Sequence, residues 1–287
     1  MAQLNSKEKR KVILNCALTG MIPTKELNRS VPLTPQEIAK EVDMAVKHGA
    51  SIVHVHARDK SGEPTWKKEI YAEIIKRIRE KQLDVIITVS TSGRNWSEFE
   101  KRAEVLELDG DVKPDMATLT MGSMNFINTA SMNSPEMIEK LATTMQKNGI
   151  KPEFEIFEPG MIHKANFMLE RGIIKDENPY FNIFLGNLGT APLEITNVSA
   201  LLNLLPKNAN WAFAGLGRFQ LRANVMGLTL GGGVRLGLED NIYLNQEKDE
   251  LASNQSQLER INKIIELMDL EISSIGETRK NLGLPLN

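Results

Sequence analysis

Ser51-Ile-Val-His-Val-His-Ala-Arg-Asp59 begins as a run of strand formers and ends in charged residues. Side chains two apart on a strand point to the same face, so His54 and His56 stand side by side. Two buried imidazoles need two sets of polar partners. A divalent metal shared at the strand end satisfies both, provided another element brings a third ligand. The stretch therefore reads as a strand entering the floor of an active site.

The same grammar recurs on either side. Lys11–Leu18 is an apolar run stopped by Thr19-Gly20. Thr34-Pro35-Gln36-Glu37 is a helix start, with Thr34 as N-cap, Pro35 at N1 and Glu37 in the capping-box position. That helix runs to His48, and Gly49 ends it. Strands follow at Ser51–Ala57, Asp84–Ser90, Asp115–Met121, Pro152–Phe157, Tyr180–Leu185, Asn210–Ala214 and Val234–Asp240. Between them lie helical patterns at Lys67–Lys81, Ser97–Leu108 (Ser97 as cap), Pro135–Asn148, Gly160–Arg171, Thr196–Leu205 and Phe219–Leu228. Eight strands alternating with helices call for parallel βαβ units, and eight such units make a (β/α)8 TIM barrel. An open doubly wound sheet would carry a glycine-rich phosphate loop after the first strand, and none is there. The chain is expected to form a single barrel domain over 1–287, with 250–287 as a C-terminal helical extension covering the barrel or packing on another subunit.

Composition narrows the function classes. The 287 residues are 41% hydrophobic and 25% charged, with a formal net charge of −2. That balance gives no reason to expect nucleic acid or a membrane surface as partner. Cys16 is the only cysteine, so no intrachain disulfide forms, which suits a reducing compartment. The basic N-terminal lead has no apolar signal segment after it, and no apolar run is long enough to span a bilayer. A cytoplasmic location is expected.

Barrel sites lie at the C-terminal ends of the strands. The eighth strand exits through Glu239 and Asp240, and in a closed barrel it neighbours the first, which neighbours the second. Strands lie about 4.8 Å apart, so Glu239 can join His54 and His56 around one cation. Two histidines and a carboxylate with an open position is catalytic zinc chemistry, and Fe(II) suits the same set. Arg235 can pair with Asp240 and keep it ionised as a base for an acidified C–H; the alternative is that Asp240 only begins a turn. Gly231–Gly233, lying before the strand, suit a tight helix-to-strand turn better than phosphate binding.

These pieces resemble the family of β-keto acid cleavage enzymes, to which the 3-keto-5-aminohexanoate cleavage enzyme belongs. The matching segments are Leu18–Gly20, Val31–Pro35, Gly49–Asp59, Ser90–Gly93, Met121–Phe126, Pro152–Glu155 and Val234–Asn241. The resemblance implies a zinc-dependent homo-oligomer, a dimer or tetramer, that condenses a β-keto acid with acetyl-CoA to give acetoacetate and a new acyl-CoA. By motif position, His54, His56 and Glu239 are similar to its zinc ligands. Asp240, paired with Arg235, resembles its base. Ser90 is similar to a carboxylate-binding group, and Thr118 and Glu155 to further pocket residues. Members acting on the amino-bearing substrate carry T-G-A-E after the first strand, whereas this chain has Thr19-Gly-Met-Ile22. A cationic keto acid is therefore disfavoured and an uncharged one expected, unless Lys25 or another neighbour reaches the site and accepts an acidic tail. Two rival readings are a metal-dependent hydrolase barrel and a non-catalytic metal-binding barrel. The first needs more histidines on later strands, but only His163, in a helix, follows His56. The second needs a fourth ligand.

Overall fold

A computed structural model describes residues 9–82 and 84–286. The N-terminal lead at 1–8 lies outside the described residues. Eight parallel strands close into a barrel: β1 Leu14–Ala17, β2 Ile52–Val55, β3 Ile86–Val89, β4 Met116–Thr120, β5 Lys151–Ile156, β6 Tyr180–Leu185, β7 Asn210–Gly215 and β8 Gly233–Leu236. β8 pairs with β1 and β7 with β6, so the ring has no edge.

Helices follow each strand: α1 Pro35–Lys47, α2 Lys68–Arg79, α3 Phe99–Ala103, α4 Pro135–Lys147, α5 Pro159–Glu170, α6 Ile195–Leu204, α7 Gln220–Leu230 and α8 Asn254–Leu267. Their starts follow local chemistry. Thr34 and Glu37 form the reciprocal capping box of α1, and the Ser134 hydroxyl accepts the Met137 N–H at the head of α4. Tyr71, Ile74, Ile75 and Ile78 form the buried stripe of α2. Each of those side chains contributes roughly 1.5–3 kcal/mol by leaving water. The C-terminal segment is helical as expected. α8 packs against α1 and α7. A last helix, α9 (Ile275–Asn281), is followed by Leu282, which packs against Ile13, Ile52, Ile86, Met116, Tyr180 and Ala212 at the N-terminal end of the barrel.

Two expectations about element ends are corrected. Ser97 caps nothing: Glu98 stands at the N-cap, its carboxylate accepting the Ser97 N–H and the Lys101 ammonium, and the α-helix lasts five residues before tightening to 3-10 geometry at Glu104–Glu107. The eighth strand stops at Leu236 instead of running to Asp240. Gly237 ends it, at φ +143°, where an added Cβ would lie 1.9 Å from the Ala17 carbonyl oxygen. No other residue adopts this backbone at such close approach. Glu239 and Asp240 consequently sit on a turn that folds back over the barrel mouth, with the Glu239 N–H bonded to Ala17 O.

Candidate active site

Strand parity sorts the barrel interior into layers. The bottom layer is the apolar cluster that Leu282 covers. One step up, Asn15, His54, Thr88, Thr118, Glu153, Asn182 and Arg235 are all buried. A polar layer in a barrel core is costly unless its members satisfy one another. Here the satisfaction is partial: Glu153 Oε1 accepts from Asn15 Nδ2 at 3.3 Å, from Arg235 Nη1 at 3.4 Å and from Asn182 Nδ2, while Asn15 Oδ1, Thr88 Oγ1, Asn182 Oδ1 and Glu153 Oε2 have no partner among the described residues. Burial pushes the Glu153 carboxyl up to about 7, opposed by Arg235.

Above this layer the side chains named from the sequence meet. His54 Nε2 and His56 Nε2 are 2.9 Å apart, and Glu239 brings Oε2 to 3.4 Å of the first and Oε1 to 3.3 Å of the second. Ligand atoms from all three lie within 4.8 Å of one another, the sole such cluster of metal-ligating side chains among the described residues. Arg235 holds both carboxylates of the turn: its Nε donates to Asp240 Oδ2 at 3.1 Å and its Nη2 to Glu239 Oε1 at 3.1 Å. Asp240 thus does more than begin a turn.

The electrostatics follow from this packing. Burial depresses the His54 pKa well below its ordinary value, with Glu239 pulling the other way. Burial alone would raise Glu239, yet His54, His56 and Arg235 together hold its carboxyl well below the usual range. Asp240 is pushed up to about 6 by burial, with Arg235 pulling the other way. The Arg235 guanidinium, although desolvated, is held firmly protonated by Asp240, Glu239 and Glu153.

The donor set fits a divalent metal. Two imidazole Nε2 atoms face each other across a hydrogen-bond distance, and Glu239 Oε2 is buried without a hydrogen-bond partner among the described residues. Gly20 makes room for the carboxylate: an added Cβ would lie 2.7 Å from Glu239 Cγ.

A cavity of about 80 Å³ opens beside the cluster, lined by His56, Glu239, Asp240 and Glu155 on its polar side. Met21, Ile22, Phe126, Phe157, Phe184 and Leu216 form its apolar wall, and Arg94 completes it. Of the pocket residues suggested by resemblance, Glu155 lines this cavity, with the Thr120 hydroxyl donating to its Oε2 at 2.6 Å. Ser90 and Thr118 are not among the lining residues. The Ser90 hydroxyl accepts the Ser92 N–H, and Thr118 Oγ1 accepts the Thr91 N–H while its carbonyl takes the Thr91 hydroxyl. Lys25 is committed elsewhere, paired with Glu37 at 2.7 Å. His48 bonds the Met44 carbonyl at the end of α1, and His163 is exposed on α5. Arg94, Phe157 and Phe184 carry no sequence signature of their own, and Glu153 lies in a matching segment with no role attached to it. Only the alternation of Glu153 and Glu155 on one strand hints at two stacked carboxylates.

The fold and this mouth define a (β/α)8-barrel enzyme with an ionised site at the C-terminal ends of its strands. The family model described as beta-keto acid cleavage enzyme matches residues 11–284, and the chain belongs to that family. It is 35% identical over 277 residues to the 3-keto-5-aminohexanoate cleavage enzyme of Fusobacterium nucleatum subsp. nucleatum, covering 96% of this chain and 98% of that one. It is 34% identical over 278 residues to the 3-oxoadipate:acetyl-CoA acetyltransferase of Cupriavidus necator, covering 95% of each. Among solved structures, apo ObcA superposes with a TM-score of 0.78 at 19% identity, over 89% of this chain and 66% of that one, a likeness of fold. No helix among the described residues is long and apolar enough to cross a membrane.

Proposed function

We propose that the protein condenses a β-keto acid with acetyl-CoA, releasing acetoacetate and a new acyl-CoA, and that it does so with zinc held by His54, His56 and Glu239. The observation that carries this reading is the convergence of those three side chains beside the Arg235–Asp240 pair. Family membership and relatives named for acetyl-CoA transfer support it. Zinc bound there supplies Lewis-acid polarisation of a keto oxygen, which acidifies the adjacent carbon.

The chain's own residues do the rest. Asp240, oriented by Arg235, removes a proton from C2 of the keto acid. The C2 carbanion attacks the acetyl thioester carbonyl and expels the CoA thiolate. That thiolate adds to C3, the C2–C3 bond breaks, and the acyl group leaves as its CoA ester. Asp240 returns the proton to C2 of the departing acetoacetate, so no protein nucleophile and no outside oxidant is needed. Arg235 stays protonated throughout and keeps the negative charge of the base in place. Met21 and Ile22, lining the cavity where a carboxylate would meet a substrate ammonium, speak against a cationic keto acid.

The same geometry speaks against the two rival readings. A hydrolase of the many-histidine kind lacks further histidines at the mouth. A closed structural site would want a fourth ligand, and Cys16 is buried on β1 outside the cluster. The test is metal analysis of the purified protein together with an acetoacetate assay on a panel of β-keto acids. One equivalent of zinc per chain and acetoacetate release dependent on acetyl-CoA are expected. Zinc without turnover on any keto acid, or strongest turnover on the amino-bearing substrate, would refute the corresponding half of the reading.

A further inference from the structure

The row of aromatic rings in the cavity wall has an arginine at each end, Arg94 lining the cavity and Arg235 buried behind it. Arg235 lies 4.8 Å from the Phe184 ring, Phe184 stacks on Phe157 at 4.5 Å, Phe157 meets Phe126 edge-on at 5.8 Å, and the Arg94 guanidinium covers Phe126 at 3.6 Å. The two cations differ in one respect. Arg235 is surrounded by three carboxylates that accept its N–H groups. Arg94 has no side-chain hydrogen-bond acceptor among the described residues, and its Nε is buried without a partner. A guanidinium carries five donors, and stacking on an aromatic face satisfies none of them.

Its position is held firmly. The loop that carries it leaves β3 through Thr91 and Gly93, and Arg102 clamps it by donating to Thr91 O at 2.8 Å and to Met132 O at 2.9 Å. The Met132 N–H bonds back to Gly93 O, and the Arg94 N–H to Ser92 Oγ. Glu239, Glu155 and Asp240 line the same cavity and act on Arg94 only through space, none of them bonding it. A fixed cation on an apolar wall, with no carboxylate bonded to it, is a preorganised anion site.

We propose that Arg94 selects the substrate: it receives a second, distal carboxylate on the β-keto acid, whose apolar stem lies along Phe126, Phe157 and Phe184. The protein would then be a cleavage enzyme for β-keto dicarboxylates. This inference rests on the cleavage reading above and adds the tail chemistry to it. It also replaces Lys25, which Glu37 occupies, as the residue that admits an acidic tail.

The experiment compares two β-keto acids of equal length, one ending in a carboxylate and one in a methyl group, with acetyl-CoA as co-substrate. Wild type, Arg94→Met and Arg94→Lys are assayed, and the readout is the ratio of kcat/KM for the diacid to that for the monoacid. Because it is a ratio on one enzyme preparation, partial misfolding of a variant cancels. Wild type should favour the diacid, and Arg94→Met should lower the ratio roughly 10- to 100-fold, the worth of a lost charge-assisted hydrogen-bond set. The loss should fall in KM for the keto acid, and Arg94→Lys should recover part of it. An unchanged ratio with both acids equally impaired would mean that Arg94 holds the carboxylate all β-keto acids share. A change confined to KM for acetyl-CoA would mean that it serves the thioester. Either result overturns this inference and leaves the cleavage reading standing. No acetoacetate from either acid with any variant overturns both.

Discussion

Glu153→Gln tests the polar layer beneath the site. Glu153 is fully buried and its carboxyl is raised from 4.5 to about 7, burial outweighing the help of Arg235. The folded protein therefore holds this proton through a window in which the unfolded chain releases it. Stability is unaffected below pH 4.5, falls as pH rises toward 7, and is flat above. At about 1.4 kcal/mol per pH unit, the full loss is about 3 kcal/mol, most of it between pH 5 and 8. The glutamine variant has no proton to release at this position. Its side-chain carbonyl oxygen can take the place of Oε1 before Asn15, Asn182 and Arg235, with its amide group where Oε2 has no partner. Thermal unfolding of both proteins in chelator, at pH 5 and pH 8, isolates this effect. The variant's Tm relative to wild type should rise by roughly 4 °C from the lower pH to the higher. A gap that is constant, or that narrows as pH rises, would show that Glu153 is not a desolvated carboxylate and would undo the account of this layer.

Two further outcomes are expected. Gly20→Ala, whose Cβ would collide with Glu239 Cγ, should displace that carboxylate and weaken zinc binding about 10- to 100-fold, as disturbing a ligand's support does elsewhere; chelator competition measures it, and unchanged affinity would mean that Glu239 is not held against Gly20. Arg235→Lys keeps the charge but cannot bond Glu153, Glu239 and Asp240 together. It should lower kcat by roughly 10²-fold or more with a smaller change in KM for the keto acid, and steady-state kinetics within threefold of wild type would remove Arg235 from the mechanism.

The local code of this chain was enough for much of the architecture. Alternating apolar runs and capped helices specify βαβ units, because strand and helix periods and capping chemistry act over a few residues. The pairing of His54 with His56 was legible for the same reason: parity on a strand is a local property. Glu239 became legible once the ring was assumed to close. What the sequence could not reveal depends on distant backbone. The eighth strand ends at Gly237 because β1 presses against it there, and Ala17 lies more than two hundred residues away. Ser90 lies in a matching segment and Thr118 was placed by looser likeness; that their hydroxyls accept neighbouring backbone N–H groups is a matter of how two strand ends meet.

Arg94 and Lys25 make the contrast plainest. Both are basic residues on loops near the mouth, and the segment Ser90–Gly93 before Arg94 does not say what its charge meets. The tertiary structure does, by giving Lys25 a carboxylate within ion-pair distance and Arg94 an aromatic ring, with Glu239, Glu155 and Asp240 acting on it only through space. Charge is written in the sequence, but whether a charge is already answered is decided by which distant side chains the closed barrel brings within about 4 Å.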